Sequence, residues 1–195
     1  MLKAKPLLVE AFLYVIAKLV PGLISLLYLI LFTRLLGITE FGKYSLFIAQ
    51  FNLIASLSFG WLNQSELRYR SANKSDSDRP SYFILIFFAS LISLFVTIIF
   101  YLINQISFDK IFLSFFCIFS IGIFGYVKII LQSDIKPKEV LFGSIIQSIL
   151  LIMIPIIFYF VAPLNYNNLL ISMGLSYFIT CIIFLIKNFH VLNLS

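Results

Sequence analysis

The chain has 195 residues, of which 62% are hydrophobic and 11% charged, with a mean hydropathy of +1.08 and a formal charge of +6. Soluble domains average about 45–50% apolar and about 25% charged residues, so this composition excludes an ordinary soluble fold. The net positive charge does not point to nucleic acid, because the basic residues lie in short connectors between apolar runs and form no basic stripe with interleaved aromatics.

Stretches 82–103, 111–127 and 140–186 contain no Asp, Glu, Lys or Arg. Apolar runs of about 18 residues or more can cross a hydrocarbon layer roughly 30 Å thick. The pattern predicts an all-α integral membrane protein with six transmembrane helices in three antiparallel hairpins, spanning 11–33, 41–62, 82–103, 111–131, 140–162 and 169–186. Apolar residues surround each run instead of forming one stripe, and the short alternating segments of a β-barrel are absent from the sequence. No separate soluble domain and no internal repeat are present.

In the first span, Lys3 and Lys5 precede an apolar run, as in a signal peptide, but Glu10 and Lys18 interrupt it and no small-residue cleavage site follows. A retained first helix is expected, with Glu10 at the interface. Lys18 lies about seven residues inside the span, roughly 10 Å deep. A cation at that depth either faces a cavity or partner, or snorkels to the surface. Pro21 and Gly22 follow it, which predicts a kink.

The stretch from Thr33 to Leu46, TRLLGITEFGKYSL, reads as a tight turn between antiparallel helices. Arg34 suits the negative end of the first helix, Gly37 a left-handed C-cap, Thr39 the cap of the second helix and Glu40 its positive first turn. In the second span, Gln50 and Asn52 either bond between helices or line an aqueous cavity. The segment 63–81 is the longest connector and is expected to be a polar cytoplasmic loop. Its Arg68 and Arg70 either gather an anionic lipid at a cavity mouth or anchor the helix end.

Lys128 and Gln132 are expected to anchor the end of the fourth span, while Gly122, Gly125 and Gly143 permit close helix approach. Gln147 has the same two roles open to it as Gln50. Cys117 and Cys181 read as buried small hydrophobes. The SDSD segment (Ser75 to Asp78) reads as solvated, not as a metal site, and His190 as a surface residue of the tail. No metal, cofactor or catalytic constellation is expected. With the N-terminus cytoplasmic, inner segments hold ten of the fourteen Lys and Arg residues and outer loops hold Arg34, Lys43 and Lys110, which favours both termini inside.

The segment Arg34 to Leu46, RLLGITEFGKYSL, resembles the signature after the first helix of the polysaccharide and oligosaccharide flippases, members of the multidrug, oligosaccharidyl-lipid and polysaccharide exporter superfamily. The segment Phe59 to Arg70, FGWLNQSELRYR, resembles the end of the second helix in oligosaccharide flippases. The resemblance implies the N-terminal six-helix lobe of a two-lobe transporter in the cell inner membrane, rocking around a central cavity. It implies export of a lipid-linked oligosaccharide on a polyprenyl pyrophosphate carrier. The implied partners are that carrier, membrane lipids and a second lobe or second copy. Lys18, Gln50, Asn52, Arg68 and Arg70 are then the substrate-binding candidates. A non-transporting membrane subunit or an inactive remnant of such a flippase is the alternative.

Overall fold

The computed structural model describes the backbone of residues 4–69, 79–103, 109–134, 136–161 and 163–187, and the side chains of nearly all of these from Phe12 onward. The described residues form six helices: α1 (Ala4–Leu36), α2 (Ile38–Tyr69), α3 (Arg79–Ile103), α4 (Asp109–Ser133), α5 (Pro137–Val161) and α6 (Tyr166–Lys187). All six are long and apolar enough to cross a membrane. The chain is therefore an all-helical, multi-pass membrane protein, as its composition predicts.

The turn between α1 and α2 is tighter than expected. Gly37 alone separates the helices, at φ +82, and donates its N–H to the Thr33 carbonyl at 3.0 Å. Its own carbonyl accepts from Phe41 at 3.1 Å, so Gly37 both closes α1 and opens α2. That corrects the expectation that Thr39 caps α2, because Thr39 is already inside the helix. Arg34 and Glu40 occupy the last and first turns as predicted. A Cβ on Gly37 would meet nothing within 4 Å, so only the left-handed backbone opposes substitution there. Gly37→Ala is expected to cost about 1 kcal/mol. Gly42→Ala, equally uncrowded but inside α2, is expected to stabilise by a few tenths of a kcal/mol or more, up to about 1. Thermal unfolding in detergent checks both signs.

Every helix outruns its apolar stretch, and local reasons are visible. Asn165 starts α6 three residues before the predicted position, its Oδ1 accepting from the Asn168 N–H at 2.9 Å. Pro137 occupies the first position of α5, where its missing N–H costs nothing. Residues 63–69, expected to begin a polar loop, instead continue α2 to Tyr69. Glu66 is 2% exposed there and receives a hydrogen bond from Tyr126 Oη of α4 at 3.5 Å. The helix persists beyond its apolar run because its inward face still has a neighbour to bury against.

Cross-contacts show the alternation of direction. At one end, Tyr166 of α6 stacks on Phe47 of α2 with ring centroids 5.9 Å apart, and Lys110 of α4 donates to Tyr166 Oη at 2.6 Å. Tyr101 of α3 and Ser114 of α4 share a hydrogen bond near the same end, which is the end of the Gly37 turn. At the opposite end, Lys187 of α6 lies 3.1 Å from the Glu139 carboxylate of α5. The three hairpins are antiparallel, yet most packing runs between hairpins: α1 against α5, α2 against α4, and α4 against α6. The spans of α4 and α6 are 50% buried and that of α1 only 17%, which makes α4 and α6 central and α1 peripheral.

α1 and α2 touch little for their length, and they meet beside the Gly37 turn. There Tyr28 donates to Tyr44 Oη at 2.7 Å in a buried pair, with Phe32 and Phe41 packed around it. Tyr28→Phe removes the donor and is expected to cost about 0.5–1.5 kcal/mol, read as a lower unfolding midpoint in detergent. Exposed Leu, Ile and Phe side chains, among them Leu27, Phe95, Phe112 and Phe160, form an apolar outer surface suited to lipid tails.

Small residues set the closest approaches. A Cβ on Gly143 of α5 would fall 1.7 Å from the Phe184 ring of α6, and one on Gly122 of α4 would fall 2.4 Å from the Phe59 ring of α2. Gly125 is less crowded, with its nearest neighbour atom, on Asn63, 3.8 Å from a Cβ. Gly174, not singled out by sequence, lies against Phe116 and Cys117. Cys117 and Cys181 are buried free thiols, and Cys117 Sγ donates to the Leu170 carbonyl at 3.3 Å.

Candidate functional site

Ala17 is 1% exposed and packs into a cluster with Phe124, Val127 and Leu131 of α4, Val140 of α5, and Cys181 and Phe184 of α6. Each helical step turns about 100°, so the residue after a buried seam position swings to the seam's edge. Lys18 does this and is exposed. It lies in a shallow groove, open along its length, on the outer face of α1 together with Val15, Leu19, Gly22, Leu23 and Leu26 of the same helix. The α1 helix runs unbroken through Pro21, whose missing N–H removes the helical donor for the Ala17 carbonyl beside Lys18.

Lys128 stands in the same relation to Val127. It is partly buried on α4, and the Lys18 charge acts on it. Among the described residues neither lysine has a carboxylate partner. Two other cations at this end differ: Lys187 pairs with Glu139 at 3.1 Å and Lys136 with Asp134 at 3.8 Å. Behind Lys128, between α4 and α2, lies a buried polar row containing Tyr126, Glu66 and Asn63, whose Oδ1 has no hydrogen-bond partner. Among the described residues no group of three or more His, Cys, Asp and Glu side chains is placed to hold a metal ion.

The five residues singled out by sequence are not gathered in one place. Among the described residues only Lys18 lines the groove. Gln50 is half-buried with its Oε1 enclosed and unpartnered, whereas Asn52, about 200° further round α2, is exposed. Gln50 and Asn52 therefore serve different faces. Arg68 is exposed near the end of α2 and engaged in an interaction there. Arg70, the SDSD segment and His190 lie outside the described residues, as does the side chain of Glu10. Gln147, on α5, is buried with its Nε2 unpartnered beside the equally unpartnered Ser144 Oγ.

Sequence reasoning missed the burial of Glu66. It was discoverable: Phe59, Leu62 and Glu66 recur at helical spacing, so the carboxylate continues the buried face of α2. Nothing in one sequence shows that the Lys18 charge reaches Lys128 on α4. Chemically, an unpaired cation in an otherwise apolar groove at membrane depth attracts an anion that has shed its water.

Comparison with protein-family models, with curated proteins and with solved structures finds no match for this chain. The likeness of Arg34–Leu46 and Phe59–Arg70 to flippases stands on those residues alone.

Proposed function

We propose that the chain is the N-terminal six-helix lobe of a flippase that exports a lipid-linked oligosaccharide, the repeat unit of a surface polysaccharide, by alternating access. The observation that carries the proposal is Lys18: a cation without a carboxylate partner among the described residues, exposed on α1 at membrane depth. The two flippase-like segments supply the substrate class, and the groove supplies a place where a pyrophosphate headgroup loses water against a compensating charge. The excess of Lys and Arg on one side supports cytoplasmic termini, and the flippase-like segments support a place in the cell's inner membrane.

In this reading α1 and α2 line the cavity. Their exposed residues include Gly22 and Ser25 on α1 and Gly42, Ser45, Ala49, Asn52 and Ser56 on α2. A face this small and polar suits the opposing half of the transporter, a second lobe or a second copy, better than lipid tails. The Tyr28–Tyr44 bond holds α1 to α2 beside the Gly37 turn, so that opening and closing at the cytoplasmic side leaves the turn intact. The same polar face favours one second reading, a non-transporting subunit that packs against a partner through α2.

The test is genetic and chemical together. In the source cell, deletion of the gene is expected to remove surface polysaccharide and leave lipid-linked repeat units on the cytoplasmic leaflet, with re-expression of the chain restoring export. Normal surface polysaccharide in the deletion strain overturns the transport reading and leaves the subunit.

A further inference from the structure

We propose that Gln147 and Ser144 of α5 hold one buried water molecule against the Ala17 carbonyl of α1, replacing the helical hydrogen bond that Pro21 removes. The inference goes beyond the transport reading and does not depend on it. The register of two packed helices carries it. On α1 the residues turned into the bundle include Ala17, Pro21, Ile24 and Tyr28, and on α5 they include Val140, Ser144, Gln147 and Leu151. Both sets step by four, three and four, the spacing of one helix face. Ala17 and Val140 share one buried cluster, and Leu151 packs against the cluster that holds Tyr28, so the two sets coincide at both ends. The two helices run in the same direction, and α1 packs on α5 more than on any other helix. Pro21 therefore falls level with Ser144, and Ile24 with Gln147.

Both sides of this contact carry polar atoms that need a partner. Ala17 is buried, and its carbonyl points along the helix axis towards residue 21, where Pro21 has no N–H to give. Ser144 and Gln147 are only 3% and 8% exposed, and neither Ser144 Oγ nor Gln147 Nε2 has a hydrogen-bond partner. The adjacent Ser148 hydroxyl is already spent on the Ser144 carbonyl at 2.7 Å. Gln147 lies ten residues into the Pro137–Val161 span, roughly 15 Å along the axis, where an unpaired amide is costly. The donor set identifies the ligand. A cation is repelled by the amide N–H groups and an anion by the carbonyl, whereas water accepts from Gln147, donates to Ala17 and does either with Ser144. Those bonds amount to about three, the usual complement of a buried water. Pro21 in α1 and Gln147 in α5, each costly alone, then answer each other.

The test is a mutant cycle on the full chain, read as reversible unfolding in detergent. Gln147→Met keeps the volume and loses both donors, and it is expected to lower the folding equilibrium constant roughly two- to tenfold. Pro21→Ala returns an N–H to the Ala17 carbonyl, so in that background Gln147→Met is expected to cost less than about twofold. Equal losses in both backgrounds would place the partner of Gln147 elsewhere, and a gain in both would mean that it has none; either overturns the proposal. Combining Ser144→Ala with Gln147→Met leaves α1 untouched and reads the same site should Pro21→Ala fold poorly. One shared water makes the combined loss smaller than the product of the two single losses, and losses that simply multiply overturn it. Cryo-electron microscopy of the chain in nanodiscs separates water from direct contact. Density for a water within hydrogen-bond distance of the Ala17 carbonyl and the Gln147 amide is expected, and an amide lying directly on the carbonyl sinks the proposal.

Discussion

Lys18→Leu is expected to reduce export by at least about tenfold, and to abolish it if the headgroup has no other cation, while leaving insertion intact. The two effects separate because they have opposite signs. An intramembrane lysine opposes insertion by about 2.5–3.5 kcal/mol, so replacing it with leucine makes the helix easier to insert. Lys18 lies on the exposed side of α1, so the change opens no cavity in the core. A fall in export therefore reports on the anion and not on the fold. Surface polysaccharide in cells carrying the variant, alongside the amount of chain in the membrane fraction, measures both. Lys18→Arg should keep most activity because the charge stays. Full export by Lys18→Leu would make the lysine a snorkelling residue and remove the observation on which the transport reading stands.

The second large effect is structural. Gly143→Leu is expected to prevent correct packing of α5 on α6, and even Gly143→Ala to cost about 1–3 kcal/mol. The Phe184 ring occupies the space a Cβ would need, at 1.7 Å, and Phe184 is itself 2% exposed. It cannot swing aside freely, because Ala17, Phe124 and Val140 enclose it in the cluster that also holds α1 in place. Trimming the obstacle should restore what the added methyl removes. In Gly143→Ala combined with Phe184→Leu, the loss is expected to be smaller than the sum of the single losses by roughly 0.5–3 kcal/mol, as for residues in direct contact. Unfolding midpoints in detergent give all three values, and strict additivity would mean that the two side chains do not meet.

Much of the architecture was legible in order of residues. Six apolar runs, separated by short charged connectors, determine six membrane-crossing helices, because no other backbone arrangement built from such runs satisfies its own hydrogen bonds in lipid. Gly37 determined the first turn, since only a residue without a Cβ adopts its left-handed conformation at no cost, and Lys18 stood out because a charge at that depth always needs an explanation. The helix ends were less legible. Apolar content marks where a helix leaves lipid, whereas the backbone ladder continues as far as a cap or a neighbour supports it, as Asn165 and Glu66 do here. The tertiary structure alone decided which helices pack together and which face of each is covered. When a helix is apolar on all sides its periodicity does not say which side is inward, and the choice falls to shape: Gly143 accepting Phe184, Gly122 accepting Phe59, Ala17 fitting against Val127. That fit seats Ala17 of α1 in one cluster with Val127 of α4 across 110 positions of sequence, because steric complementarity between distant residues leaves no local trace in either segment.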